Sequence, residues 1–493
     1  MYLKKAIHGT IVVFIYTILA GLLWYLFRTI LARNLSVAEY GLFFAVYSFI
    51  AFFQIFTDFG LPQSVSKHMI DLKEKNKRRS IKSLVVYSLY FQLILSIIIY
   101  TAFVLSAAWL SNHYFNANAT TLIVILGIWF LTMPLTIFFQ NIFLGFQRPG
   151  LVASIDLLRS LSVVLISSVL LYVGMGIKSP VIAYLCVNFI IILIYAPFVK
   201  KLFPDFTQLK AKFDKRLMKS VLTFGFMVSF SGVIWTVLTQ TDTLILTYFR
   251  TMEEVGLYQI AVPLANLLLY AVIAINLVAY PMVAELSARK DEKKLSQGIN
   301  LFYKYIFMLV IPIVVVIFSF SDLVINILFG SKYIAAAAAL KILIISALFS
   351  SLTLFNNSVL SAIGHPKTVA KTMSIAAVLN LCLNLYFVPK YGIVGASGST
   401  MTSFILALFL STNSLRKRVR VYVPLKSWAL TFLVGGLTAF FIYYIKEWLN
   451  INMWGELALI GVLAGILYFG VLYLLRILDI EEIKGIVRTL LEE

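Results

Sequence analysis

The chain alternates long apolar runs with short polar breaks. Runs near the ~20 residues that a helix needs to cross a hydrocarbon layer fall near positions 8 to 33, 40 to 66, 83 to 110, 120 to 146, 150 to 173 and 179 to 199. A basic, proline-containing link, Lys200 to Lys219, separates these from six more, near 220 to 249, 255 to 284, 301 to 320, 334 to 362, 367 to 388 and 392 to 413. Two last runs, near 428 to 445 and 454 to 475, bring the number to fourteen. The pattern predicts an all-α polytopic membrane protein with fourteen transmembrane helices. The first run has no small-residue cleavage site before its loop, so it reads as a span and not as a signal peptide.

Composition narrows the class. Apolar side chains make up 61% of the 493 residues, against 41 Lys and Arg and 21 Asp and Glu, and the mean hydropathy is +0.95. So little polar surface cannot cover a water-soluble catalytic domain, which excludes ATPases, kinases and other enzymes built around one. Cys186 and Cys382 both lie inside apolar runs, which excludes a disulfide framework and a cysteine-rich metal site. The four histidines, His8, His68, His113 and His365, stand at helix ends and are not clustered, so neither a metal nor another cofactor is expected.

The net charge of +20 would suggest nucleic acid in a soluble protein, but here its placement decides. An even number of spans puts both termini on one side. With that side cytoplasmic, 32 of the 41 basic residues lie inside, and only Arg33, Lys178, Arg250, Lys332, Lys390 and Lys446 lie outside. Arg28, Arg159 and Lys341 are within spans. This is the positive-inside bias. The charge reports topology, no nucleic-acid partner is expected, and the protein is placed in the cell membrane with cytoplasmic ends.

Internal similarity recurs at an offset of about 215 residues. Glu39 to Phe43 reads EYGLF and Glu254 to Tyr258 reads EVGLY; Arg148 to Ala153 reads RPGLVA and His365 to Ala370 reads HPKTVA. Six helices separate equivalent points, so the halves share one orientation. The expected organisation is an N-lobe over 1–205 (helices 1 to 6), a C-lobe over 206–415 (helices 7 to 12), and a 416–493 segment with helices 13 and 14 and a cytoplasmic tail. Gly41, Gly256, Gly392 and Gly395 fall where helices begin after short external turns. Close backbone packing explains them; a moving hinge is the other open reading.

At these residues the chain resembles the polysaccharide transporters of the multidrug/oligosaccharidyl-lipid/polysaccharide superfamily, the Wzx-type flippases. The matching stretches are ARNLSVAEYGLF (32–43), TDFGLP (57–62), DTLILTYFRTMEEVGLY (242–258), LFGSKYIAAAAALKIL (328–343) and SAIGHPKTVAKTMSIAAVLNLCLNLYFVPKYGIVGASGSTMTS (361–403). The resemblance implies a V-shaped pair of lobes and a rocking cycle that carries an isoprenoid-pyrophosphate-linked oligosaccharide to the outer leaflet. It also implies membrane lipid and glycan polymerase or transferase proteins as neighbours, and leaves the glycan, the isoprenoid and any coupling ion open.

Six charges stay inside the spans: Arg28, Asp58, Asp156, Arg159, Asp242 and Lys341. Each costs about 2.5 kcal/mol or more facing lipid at mid-depth, so a wet cavity or a partner is expected. Arg28, near the outer end of helix 1, and Asp242, at nearly the repeat-equivalent place on helix 7, are candidates for a gating ion pair. Snorkelling to the outer headgroups is the competing reading for Arg28, and equally for Lys341. Asp156 and Arg159 are three apart on one face, where self-neutralisation competes with a role toward the cargo. Arg159 lies about 15 Å from the cytoplasmic end, near mid-bilayer. Asp58, in TDFGLP near the inner end of helix 2, reads as a structural cap. Arg28, Arg159 and Lys341, with Asp156, are the candidate substrate-binding residues, because cations at several depths can take over the solvation of a pyrophosphate. Gln54, Asn188, Gln240, Asn266, Asn276, Asn356, Asn357, Asn380 and Asn384 are available to sugar hydroxyls or to neighbouring helices.

Two other classes compete. A multidrug or lipid II exporter of the same superfamily is the nearer one, although a carrier of organic cations should have a net-acidic cavity and here three basic and three acidic groups balance. A polytopic glycosyltransferase needs acidic catalytic residues, usually on a sizeable external loop. The longest external loops here hold about a dozen residues, with Asp322 and Glu447 as their acids, so no catalytic residue is assigned.

Overall fold

A computed structural model of the chain describes residues 2–206, 208–422, 424–446, 453–475 and 477–478. The loop with Glu447, expected to be external, and the tail beyond residue 478 lie outside the described residues. Every regular element among the described residues is a helix. Eleven helical stretches are long and apolar enough to cross a membrane, and large side chains such as Leu105, Tyr172 and Leu193 point outward, as lipid-facing helices require. The chain divides into two compact units, Met1–Gly256 and Leu257–Glu493.

The first unit holds α1 (Tyr2–Asn34), α2 (Val37–Asp58), α3 (Leu61–Glu74), α4 (Arg78–Trp109), a π-helical turn (Leu110–Tyr114), α5 (Thr120–Gly127), α6 (Trp129–Gly145), α7 (Pro149–Tyr172), α8 (Lys178–Leu202) and α9 (Lys215–Phe249). It ends in the first turns of α10 (Met252–Ala288). Within it α1 packs on α7, α2 and α3 pack on α9, and α6 packs on α4 and α8.

The motif around Glu39 has a local cause. Ser36 and Glu39 form a capping box: the Glu39 N–H donates to Ser36 Oγ (3.2 Å) and the Ser36 N–H donates to Glu39 Oε2 (2.9 Å). Two orphan donors are satisfied, which sets where α2 begins. The second copy repeats half of this device, with the Glu254 N–H donating to Thr251 Oγ1 at 3.4 Å.

Two residues past each capping glutamate comes the glycine of the repeat, and the two glycines are each other's neighbours. A methyl group on Gly41 would overlap the Met252 carbonyl and come within 2.7 Å of the Gly256 nitrogen, while one on Gly256 would overlap the Val37 carbonyl. The helix starts cross backbone to backbone, which only hydrogen at these positions permits.

α2 does not end where the apolar run suggests. After Asp58 the chain passes through left-handed Phe59 (φ 46°) and Gly60 (φ 62°) and resumes as α3. Asp58 is therefore the last residue of α2, at a break within the 38-residue helical stretch Val37–Glu74. The turn is seated on α9, where a methyl on Gly225 would meet the Phe59 carbonyl oxygen at 2.8 Å. Irregular backbone inside a membrane bundle is tolerated where protein buries it.

The second unit contains α11 (Glu292–Ser319), α12 (Ser321–Phe329), α13 (Ala337–Ala362), α14 (Pro366–Arg416), α15 (Leu425–Lys446) and α16 (Met453–Leu474). The 51-residue α14 is two helices joined at Gly392, whose φ of 54° and ψ of −131° are non-helical. Its core carries a satisfied polar network: Tyr303 donates to Asn356, whose amide donates to Ser411 and Thr412 at 3.0 Å each.

Candidate functional site

The candidate site is an aromatic-walled polar cluster inside the first unit, and α2 supplies its frame. Tyr40, Phe43, Phe44 and Tyr47 recur at helical spacing and so share one face. Tyr40, Phe43 and Phe44 are buried. Tyr47 stacks on Trp129 of α6 with 5.2 Å between ring centroids, and meets Tyr184 of α8 at 5.4 Å.

Arg28 of α1 enters this wall. Its guanidinium lies over the Phe44 ring, 4.1 Å from the centroid, and Nη1 donates to the Tyr40 hydroxyl at 3.4 Å. A guanidinium on a ring face gains cation–π attraction that strengthens as water is excluded.

Arg159 of α7 comes to the same cluster. It faces Asp156 at 3.3 Å, and Nη2 donates to Thr136 Oγ1 at 3.4 Å. Both contacts are long, and Nε is buried with no acceptor. Its side chain is 15% exposed, against 51% for Asp156, so the carboxylate reaches outward while the cation stays in. One turn along α6, Thr132 accepts from the Asn188 amide at 2.8 Å, leaving Asn188 Oδ1 buried without a donor. Arg28 thus stands at the Tyr40–Phe44 end of the aromatic wall, while Arg159 reaches α6 two turns beyond Trp129, at Thr136.

The other candidates have different surroundings. Asp242 is buried on α9, and α1 and α9 both pack against α2. Lys341, in the second unit, lies 3.5 Å from Asp322 with 40% of its side chain exposed. Asp58 accepts from the Gln54 amide at 3.1 Å.

Chemically, the cluster offers two guanidiniums, phenolic and alcoholic hydroxyls, an under-used amide and flat aromatic walls. Guanidinium forks match phosphate oxygens, and aromatic faces with hydroxyl and amide groups beside them suit amphipathic ligands such as sugars. Sequence reasoning missed Tyr47, Trp129 and Tyr184. The spacing of aromatics on α2 was a visible signal, but it reads equally as ordinary packing until the arginines are seen against it.

Comparison with known proteins follows the same direction. The profile of a family described as polysaccharide biosynthesis protein matches residues 30–338. An uncharacterised membrane protein of Methanocaldococcus jannaschii is 29% identical over 512 residues, covering 100% of this chain and 99% of its own. A probable low-salt glycan biosynthesis flippase of Haloferax volcanii is 25% identical, covering 84% of each chain. A putative O-antigen transporter of Shigella flexneri is 23% identical over 77% of this chain and 90% of its own. Among solved structures, the lipid II flippase MurJ in an inward closed conformation superposes with a TM-score of 0.74 at 17% identity, over 94% of this chain and 99% of that one. An inward-facing multidrug resistance MATE family transporter of the MOP superfamily reaches 0.67 at 18% identity, over 81% and 96%. These two likenesses concern the fold.

Proposed function

Because the chain belongs to the polysaccharide biosynthesis protein family, we propose that it carries an isoprenoid-pyrophosphate-linked oligosaccharide from the cytoplasmic to the outer leaflet by alternating access. It is a multi-pass membrane transporter of the multidrug/oligosaccharidyl-lipid/polysaccharide superfamily and not an enzyme. The observation that carries the cargo assignment is Arg159, held by only two long contacts, 3.3 Å to Asp156 and 3.4 Å to Thr136, with Nε buried and lacking an acceptor; Arg28, on the Phe44 ring in the same unit, is the second cation. A pyrophosphate supplies the missing acceptors, and the aromatic and amide groups meet the first sugars. Lys341, already offset by Asp322, is assigned to the headgroup region.

The test is reconstitution in liposomes with lipid-linked oligosaccharide and a leaflet-accessibility assay. Lipid II belongs in the same assay, since the MurJ-like fold favours it as the second cargo. Movement of neither substrate by the wild-type protein would sink the reading.

The topology in this reading has fourteen spans. The eleven long stretches, the division of one of them at Gly392 and the shorter apolar helices Leu425–Phe441 and Gly461–Leu474 support that number. Both ends and the 200–219 link are then cytoplasmic. In a background with Cys186 and Cys382 replaced by serine, Lys210→Cys and Lys417→Cys should resist a membrane-impermeant maleimide on intact cells. External labelling at either position overturns the map.

On that map the Gly41 crossing lies at the outer side and closes it, with Arg28 and Asp242 near the same level as a gating pair. Neutralising either one should favour the outward-open state, and the exchange Arg28→Asp with Asp242→Arg should recover most transport. An exchange no better than the single changes removes the pair from the gate.

A further inference from the structure

We infer that a pocket at the outer end of α9, separate from the arginine cluster, binds the sugar chain of the cargo and not its phosphates. This rests on the transport reading above and adds a second point of contact to it. The pocket is an open cleft of about 620 Å³, within the 300–1,000 Å³ usual for small-molecule sites. Its walls are Ala38 of α2, Phe115 and Asn116 after the π-helical turn, and the continuous stretch from Tyr248 to Glu254.

Charge selects against phosphate. Among the described residues Arg250 is the one cation in the wall, and it is consumed: Nε donates to both Glu254 carboxylate oxygens at 2.9 and 3.0 Å, and Nη2 lies 2.8 Å from Oε1. Glu253 adds an exposed carboxylate. The lining therefore carries a net negative charge, which repels phosphate, while carboxylates accept hydroxyl protons in short, strong bonds. Tyr248 and Phe249, 52% and 44% exposed, bring aromatic faces to the same pocket, and such faces pack against the C–H faces of pyranose rings. Carboxylates and exposed rings together match a sugar.

The pocket is also held in shape. The Tyr114 hydroxyl donates to the Leu244 carbonyl at 2.8 Å, and the Tyr114 and Tyr248 rings are 6.0 Å apart, which ties the loop wall to α9. A preformed site spends less free energy on ordering when it binds. Ala38 and Met252 come from the two helix starts that cross at Gly41. Occupancy therefore favours the crossed, closed arrangement.

The experiment uses full-length protein in liposomes, with oligosaccharides released by mild acid from the source cells' own lipid-linked pool as the probe and inorganic pyrophosphate as the counter-probe. Saturable binding to the wild type is expected. Glu253→Gln should weaken it at least about tenfold, the worth of one lost charge-assisted bond, Tyr248→Ala should weaken it roughly two- to tenfold through the lost ring face, and pyrophosphate should not displace the glycan. Absence of glycan binding, equal binding by both variants, or displacement by pyrophosphate overturns the pocket. Flipping of lipid-linked oligosaccharide is measured on the same vesicles: a wild type that flips but shows any of these three results loses only the pocket, whereas a wild type that does not flip loses the transport reading itself.

Discussion

Arg159→Ala should lower flipping by roughly a hundredfold while leaving the protein folded. Each charge-assisted hydrogen bond that the guanidinium makes to a phosphate is worth about 1.5–3 kcal/mol, and 1.4 kcal/mol is a factor of ten in rate or affinity. Removing Arg159 strands no buried partner. Asp156 is 51% exposed and loses a single 3.3 Å contact, and the Thr136 hydroxyl still donates to the Met133 carbonyl at 2.9 Å. Folding is checked by gel filtration and thermal melting in detergent, and flipping by leaflet accessibility. Arg159→Lys should restore part of the activity, since a single ammonium keeps the charge and loses the fork. The decisive control is Asp156→Asn with Arg159→Gln. If Arg159 serves only to neutralise Asp156, the double variant transports normally and the cargo role is withdrawn.

On the proposed topology, in which the Gly41 crossing closes the outer side, Gly41→Ala should move the protein out of that closed state. The added methyl overlaps the Met252 carbonyl and lies 2.7 Å from the Gly256 nitrogen; these are backbone atoms of a helix, which cannot turn aside as a side chain can. Overpacking of this kind costs typically 1–3 kcal/mol, which corresponds to a shift of roughly 5- to 150-fold in the balance between closed and open states. Spin labels at Ala38 and Glu253 report it as a longer and broader distance distribution, and flipping should fall in step. Gly436→Ala is the control, because a methyl there meets nothing within 4 Å. An unchanged distance distribution in Gly41→Ala removes the crossing from the closure.

The parts of the candidate site that were legible in the sequence are the expensive ones. Arg28 and Arg159 stand out in apolar runs because a charge at membrane depth needs a reason, and that holds wherever the helix faces. The aromatic residues around them carry no such penalty. Tyr47, Trp129 and Tyr184 look like any membrane-helix aromatics until α2, α6 and α8 turn them toward one another. Asp58 shows the opposite limit. Its charge was conspicuous, but its place depends on the left-handed turn at Phe59 and Gly60. That turn is seated against Gly225 on α9, more than 160 positions away, and no window of sequence contains both.

What the sequence by itself determined about this protein is its class, the positions of its apolar helices, its repeat and its family resemblance. Hydropathy and charge are sums over neighbouring residues, so the bilayer reads them locally and so can the eye. Only the tertiary structure decided which residues meet. The two repeat motifs, EYGLF and EVGLY, announced that Gly41 and Gly256 occupy equivalent places. That the two glycines touch, that Arg28 lies on the Phe44 ring, and that Arg159 reaches Thr136 of α6, depends on how each helix is rotated and where it crosses its neighbour. Those angles are set by packing over whole helix faces, a property of pairs of helices that neither helix carries alone.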